Sequence, residues 1–256
     1  MKSMLAFAKK EWTGQARSGQ LMILSIIFIL LGIMNPAIAK LTPWLLEMMA
    51  DALAESGVIV TAVAVDAMDS WMQFFKNAPL GLLAFLLIES SVFTSEYQSG
   101  TLVLAVTKGL DRYKILVSKS ALLVALWTAG YWLSFYITYG YNAYYWDNGV
   151  AQNLVFSVVC WWLFGFLTVA LTVLFSTIAR SNTGVLIGVG AAVLALYVIS
   201  LFPETKKFSP ILLTDGNALI YGTVSASIYT TALVSTIVLS ALCFGISVPI
   251  FNRKQI

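Results

Sequence analysis

Histidine is missing from all 256 positions, and only 11% of them carry a charge. The first absence removes the side chain that most often serves as general base or metal ligand. The second falls below half of the share of about 25% usual in soluble domains. Cysteine is reduced to Cys160 and Cys243, both inside apolar runs, so a structural disulfide is not expected. There is no Gly-x-x-x-x-Gly-Lys-Ser/Thr run, so nothing here would cradle nucleotide phosphates in the P-loop manner. There is also no continuous basic face. The net charge of +3 comes from small groups beside apolar runs, where membrane topology accounts for them and nucleic-acid binding does not. Without histidine or a carboxylate pair at one depth, a membrane enzyme is disfavoured, and no catalytic or metal-binding residue is expected.

What is present is apolar surface, 59% of all positions. Six runs are apolar enough to cross a hydrocarbon core of ~30 Å, which takes about 20 helical residues. They cover about 21–39, 72–95, 118–139, 153–178, 184–201 and 225–251. Lipid offers no partner to free amides and carbonyls, and the runs do not alternate as barrel strands would, so each reads as a helix. The expectation is one all-α transmembrane domain over 1–256. Eleven Lys and Arg residues fall on the side of the amino terminus and four on the other, which predicts that both termini are cytoplasmic. Glu47, Asp51, Glu55, Asp66 and Asp69 lie in the first outer segment.

Residues 1–18 read as an interfacial amphipathic helix, with Met1, Met4, Leu5, Ala8 and Trp12 on one face and Lys2, Lys9, Lys10 and Arg17 at other angles. Thr42-Pro43 is a cap-and-proline pair that predicts a separate helix start, with Leu45, Leu46, Met48 and Met49 on its buried face. Tyr141, Tyr144, Tyr145 and Trp146 suit a membrane boundary. The segment 203–222 reads as a short helix dipping back without spanning.

The most informative stretch is 96–119. Glu96 ends the second span, Ser99-Gly100 breaks the helix, 101–106 can form about one and a half turns, Gly109 permits a reversal, and Asp111 can cap the next helix. From these residues alone, an ordinary turn made positive by topology and a handle for a partner are both open. Glu89 sits ~10 Å before Glu96 on nearly the same face. A carboxylate at that depth must face protein or water. It reads either as a charge on a substrate path or latch, or as a structural group bonded near Ser90 or Ser91. Gly184, Gly188 and Ala192 put small residues on one face of the fifth span, for packing within the chain or for a dimer contact. Trp161 and Trp162 read as lipid-facing or core residues, with a place lining a substrate path as the lesser alternative.

The run Glu96-x-x-x-Gly100-Thr101-Leu102, then a turn, then Arg112 and a Lys at the foot of the third span, resembles the connector of ABC-2-type permeases. These are six-span membrane subunits of ATP-binding-cassette exporters. The amphipathic amino-terminal helix, Ser209-Pro210 before the last span and the basic tail Phe251-Asn252-Arg253-Lys254 are similar to family features. Tyr97-Gln98 and Lys108-Gly109 depart from the family's usual charges and proline turn. The resemblance implies a type V exporter-like permease fold and a connector acting as a coupling helix, with Glu96, Ser99, Gly100, Thr101, Leu102, Arg112 and Lys114 on the ATPase-coupling surface. It implies ATP and Mg on a partner ATPase in two copies, none in this chain, and pairing with a second permease copy or a similar subunit. It implies a plasma-membrane location and an amphipathic or hydrophobic substrate such as a peptide, lipid or drug. A gradient-driven transporter or channel would need more intramembrane charges than Glu89 supplies. A non-transporting subunit relaying ATPase motion to an outer partner is the remaining alternative.

Overall fold

A computed structural model describes residues 2–50, 64–107, 109 and 111–254. Met1, Asp51, Glu55 and Lys108, named above, lie outside the described residues, as do the side chains of Lys2, Leu5, Gln98 and Ser99. Among the described residues the helices are α1 (Lys2–Arg17), α2 (Gln20–Met48), α3 (Ala67–Glu89), α4 (Ser91–Ser99), α5 (Thr101–Thr107), α6 (Arg112–Tyr145), α7 (Leu154–Ile178), α8 (Asn182–Ser200), α9 (Pro203–Lys206), α10 (Gly216–Ile220) and α11 (Tyr229–Arg253). Six membrane-length apolar helices result: α2, α3 continued through α4 to Tyr97, α6, α7, α8, and α11 with its preceding turn. The expected all-α fold is the observed one.

The third span exceeds its expected 118–139 at both ends, and two other boundaries differ from the sequence expectation for a local reason. The second span starts at Ala67 rather than Met72, because Asp66 makes a capping box: it accepts from the Met68 amide at 2.7 Å while Asp69 accepts from the Asp66 amide at 3.1 Å. Thr42-Pro43 does not start a helix, because α2 runs unbroken through it to Met48. The Thr42 hydroxyl donates to the Ile38 carbonyl at 2.8 Å, a mid-helix bond and not a cap. Leu45, Met48 and Met49 are correspondingly exposed, not buried. Pro36, also inside α2, is relieved from outside the helix. It supplies no amide for the Gly32 carbonyl, and the Thr138 hydroxyl of α6 takes that acceptor at 2.9 Å.

That bond belongs to a ladder across three helices. Asn77 of α3 donates to Asn35 of α2 at 2.9 Å, and Asn35 donates to Thr138 at 3.1 Å. In an apolar surround each of these groups has to find a protein partner, so the ladder fixes the rotation of α2, α3 and α6 about their axes.

Helix α7 is the central post and mostly buried, whereas α8 is mostly exposed, with only Val185 and Val189 fully covered, and lies at the edge. The close approach of α6 to α7 depends on Gly165: a Cβ there would lie 2.0 Å from Cζ2 of Trp127. Trp127 donates to the Trp162 carbonyl at 3.1 Å, and Tyr131 to that of Val158 at 3.0 Å. Trp161 is a core residue, donating to the Thr214 carbonyl at 3.1 Å, and Trp162 bonds Thr128. The segment 203–222, read as one short helix, instead forms three short turns packed against α7, α8 and α11. Ser209 caps a 3-10 turn at Pro210–Thr214, Asp215 caps α10, and Leu212, Leu213, Leu219 and Ile220 are buried.

Candidate functional site

The connector takes its shape from two glycines in left-handed conformation, Gly100 (φ 68°) closing α4 and Gly109 (φ 83°) reversing the chain after α5. Both favour residues without a Cβ, and nothing within 4 Å would meet one at either position. Leu102 is buried at 1% exposure and pins α5 to the helical body, while Thr101, Thr107 and Gly109 are exposed. Ser99 is the last residue of α4. Asp111 occupies the N-cap position of α6, yet its side chain makes no capping bond and pairs with Lys114 instead.

On one side the connector is anchored to α1. Lys119, two turns into α6 and 2% exposed, donates to Glu11 at 2.7 Å and to the Val92 carbonyl at 3.0 Å, and pairs with Glu96 at 3.2 Å. Lys10 bridges the same two carboxylates, at 3.0 Å to Glu11 and 2.9 Å to Glu96. One turn along, Gln15 donates to Glu89, which is buried at 1% exposure. Glu89 and Glu96 therefore share a face, as their spacing predicts, and that face looks onto α1. The partner of Glu89 is Gln15, not Ser90 or Ser91, whose hydroxyls lie near the carbonyls of Leu87 and Ile88. Beside the cluster is a polar crevice of about 290 Å³ lined by Lys10, Gln15, Ser91, Ser95 and Lys119.

Sequence reasoning missed Glu11 and Gln15. Their signal was the i, i+4, i+8 series Phe7, Glu11, Gln15, which forms the buried stripe of α1, while Trp12 on the apolar face is 49% exposed. Burial acts to raise the Glu11 carboxyl, but Lys119 and Lys10 together outweigh it and hold the group below its usual range. For Lys10 burial acts downward, and its bonds to Glu96 and Glu11 reverse that and raise it. A depressed carboxyl contributes stability above its unfolded value, about 4.3, and loses it as pH falls through the folded value. A raised lysine contributes below about 10.4 and loses it only as pH climbs past the folded value. The docking of α1 is thus expected to hold across neutral pH and weaken on acidification below about 4. Amide exchange of residues 2–17 against pH checks this, and release near pH 7 would count against it.

On its other side the connector meets the carboxyl-terminal turn. Arg112 donates to the carbonyls of Asn252, at 3.1 Å, and Lys254. Lys254 donates to the Ala179 carbonyl at 2.8 Å and stands 4.1 Å above the Tyr97 ring. Burial, with the charge of Arg180, lowers Lys254 to about 8, which leaves it mostly ammonium at neutral pH. Arg112, expected on a partner surface, is therefore engaged within the chain. Gly188 and Ala192 lie elsewhere, on the α8 face packed against α7, and Gly184 sits in the first turn of α8 against Ala179 and Ser181. A Cβ on Gly188 would lie 2.4 Å from the Phe175 ring, and Ala192 packs on the cluster around Leu167 and Val189.

Six membrane-length helices joined by a charged connector, braced by ion pairs to α1 and hydrogen bonds to the last turn, define a polytopic membrane protein. The profile of the ABC-2 family transporter proteins matches residues 5–255, so the chain belongs to the ABC-2 family and is a transmembrane permease. It is also similar to the uncharacterized transmembrane protein YxlG of Bacillus subtilis (strain 168), at 24% identity over 223 residues, spanning 82% of this chain and 81% of that protein.

Proposed function

We propose that this chain is the membrane subunit of an ATP-binding-cassette exporter, driven by two copies of a separate ATPase that dock on the connector from the cytoplasm. The observation carrying this is α5 itself: a seven-residue helix hung between two left-handed glycines, buried through Leu102 and presenting Thr101 and Thr107 outward. Such a helix is small enough to be gripped and braced well enough to pass on a load. Both chain ends share its side, where Lys and Arg concentrate, so the termini are cytoplasmic in a plasma membrane. ATP and Mg belong to the partner. The ATPase shifts the permease by binding its two arrangements unequally, since equal affinity for both would move nothing.

The path would form between two copies of this chain, or this chain and a similar subunit. The thinly covered α8 supports such pairing. An amphipathic or hydrophobic cargo suits the apolar groove of about 480 Å³ between α3, α7 and α8, lined by Leu83, Leu87, Trp161, Val193 and Tyr197. The pairing of Glu89 with Gln15 favours a structural role for that carboxylate over a place on the path.

Thr101→Glu places a charge on the exposed face of α5, and Gly100→Trp forces a side chain onto a φ of 68°. Either is expected to reduce ATPase co-purification by at least about tenfold, the loss of roughly 1.4 kcal/mol of binding. The six-span body should stay folded, as read by its thermal transition. Undiminished capture by both variants would remove the proposal's basis.

A further inference from the structure

The turn at Phe251–Lys254 joins four elements at the end of the molecule that carries the connector. Phe251 is fully buried, with its ring centroid 6.2 Å from that of Phe93 and 6.5 Å from that of Tyr97, both on α4. Arg112, the first residue of α6, reaches the carbonyls of Asn252 and Lys254. Lys254 reaches the carbonyls of Ala179, at 2.8 Å, and Ser176, at 3.4 Å, at the end of α7.

Helix ends leave carbonyls without intrahelical donors, and water or a capping side chain normally serves them. Here the end of α11 is served by α6, and the end of α7 is served by Lys254 following α11. A cation at the first position of α6 is unfavourable toward that helix's own dipole, so Arg112 gains from spending its donors on another helix's carbonyls. The Tyr97 ring, three residues before Gly100, lies beneath the Lys254 ammonium. Glu96 faces the α1 cluster and Tyr97 faces the tail, so the last turn of α4 is held from both sides. A shift of that turn disturbs the ring contacts of Phe93 and Tyr97 with Phe251 and Lys254, the residues seated at the ends of α11 and α7.

We propose that Phe251–Lys254 is a keystone through which displacement of the connector reaches α7 and α11, and that Lys254 and Arg112 are positioning residues for transport rather than parts of the ATPase footprint. This rests on the reading of the connector as the driven element. It concerns where the load goes, not what applies it.

The test therefore uses no ATPase. The full chain in lipid nanodiscs carries Thr107→Cys, biotinylated through maleimide and loaded with streptavidin as a push on the connector, since Cys160 and Cys243 are buried and shielded. Amide exchange is then read at residues 91–99, 174–179 and 248–254. Loading is expected to speed exchange in all three regions, by about tenfold at 174–179. With Lys254→Ala the change should stop at 91–99, and Lys254→Arg should restore it. Tyr97→Leu, which leaves the tail's hydrogen bonds in place, should weaken transmission to 174–179 as well. A purely local role would loosen only 251–254 in Lys254→Ala and leave transmission intact, overturning the proposal. So would a load on the unaltered keystone that never reaches 174–179. Loss of ATPase capture by Thr101→Glu is a separate readout, so failure of the docking reading and failure of the keystone are distinguishable.

Discussion

Lys119→Met is expected to destabilise the protein by about 3–5 kcal/mol, the usual cost of removing one partner from a buried charge cluster. Lys119 donates to Glu11 and to the Val92 carbonyl and pairs with Glu96, and the lysine is 2% exposed. Methionine fills a similar volume but leaves two carboxylates with Lys10 alone, and Lys10 is 58% exposed and pulled partly toward water. The loss is electrostatic, so Lys119→Met combined with Glu11→Gln should recover a large part of it. Lys10→Met, at the exposed end of the cluster, should cost about 1 kcal/mol or less. Denaturant unfolding in detergent micelles measures all three. Equal losses for Lys10→Met and Lys119→Met would show that the buried lysine is not the node.

Gly165→Ala is expected to cost about 3 kcal/mol, and Gly165→Leu to prevent assembly of α6 on α7. The added Cβ would fall 2.0, 2.3 and 2.7 Å from three indole atoms of Trp127. That ring has no room to retreat: it is fully buried, lies 6.1 Å from Phe28 and 5.6 Å from Phe85, and is held by its bond to the Trp162 carbonyl. Gly140→Ala is the control. It lies in α6, the helix that carries Trp127, but nothing lies within 4 Å of the added Cβ, so higher helix propensity should leave it neutral or more stable by up to about 1 kcal/mol. The same unfolding measurement decides, and similar values for Gly165→Ala and Gly140→Ala would contradict the close packing.

Six apolar runs, each near the length of a bilayer crossing, made the spans readable because lipid leaves a backbone so few choices. Gly100 and Gly109 were readable as breaks because a left-handed backbone favours glycine. Thr42-Pro43 misled because a proline inside a long helix and a proline in a first turn look alike in sequence. What separates them is whether another group relieves the carbonyl that proline leaves without a donor, as Thr138 does for Gly32. The charged residues of the site were legible one at a time but not as a set. Glu96 and Lys119 stood out beside apolar runs, whereas Glu11 and Gln15 looked like the ordinary polar side of an interfacial helix. Their pairing with Glu89 of α3 and Lys119 of α6 depends on contacts 74 and 108 residues apart, which no local pattern records. Arg112 was legible as a charge beside a span, but its engagement with the carbonyls of the last turn becomes visible only once α6 and α11 are side by side.

The central claim is that α5 is the surface on which an ATPase acts. A photoreactive benzophenone amino acid in place of Thr101, activated in native membranes, tests it most directly. The predicted result is an adduct with a protein that carries the Gly-x-x-x-x-Gly-Lys-Ser/Thr motif missing from this chain, together with no such adduct from the same group at Tyr144, 81% exposed on the opposite side. A chain present at normal abundance that forms no ATPase adduct from position 101 would contradict the account.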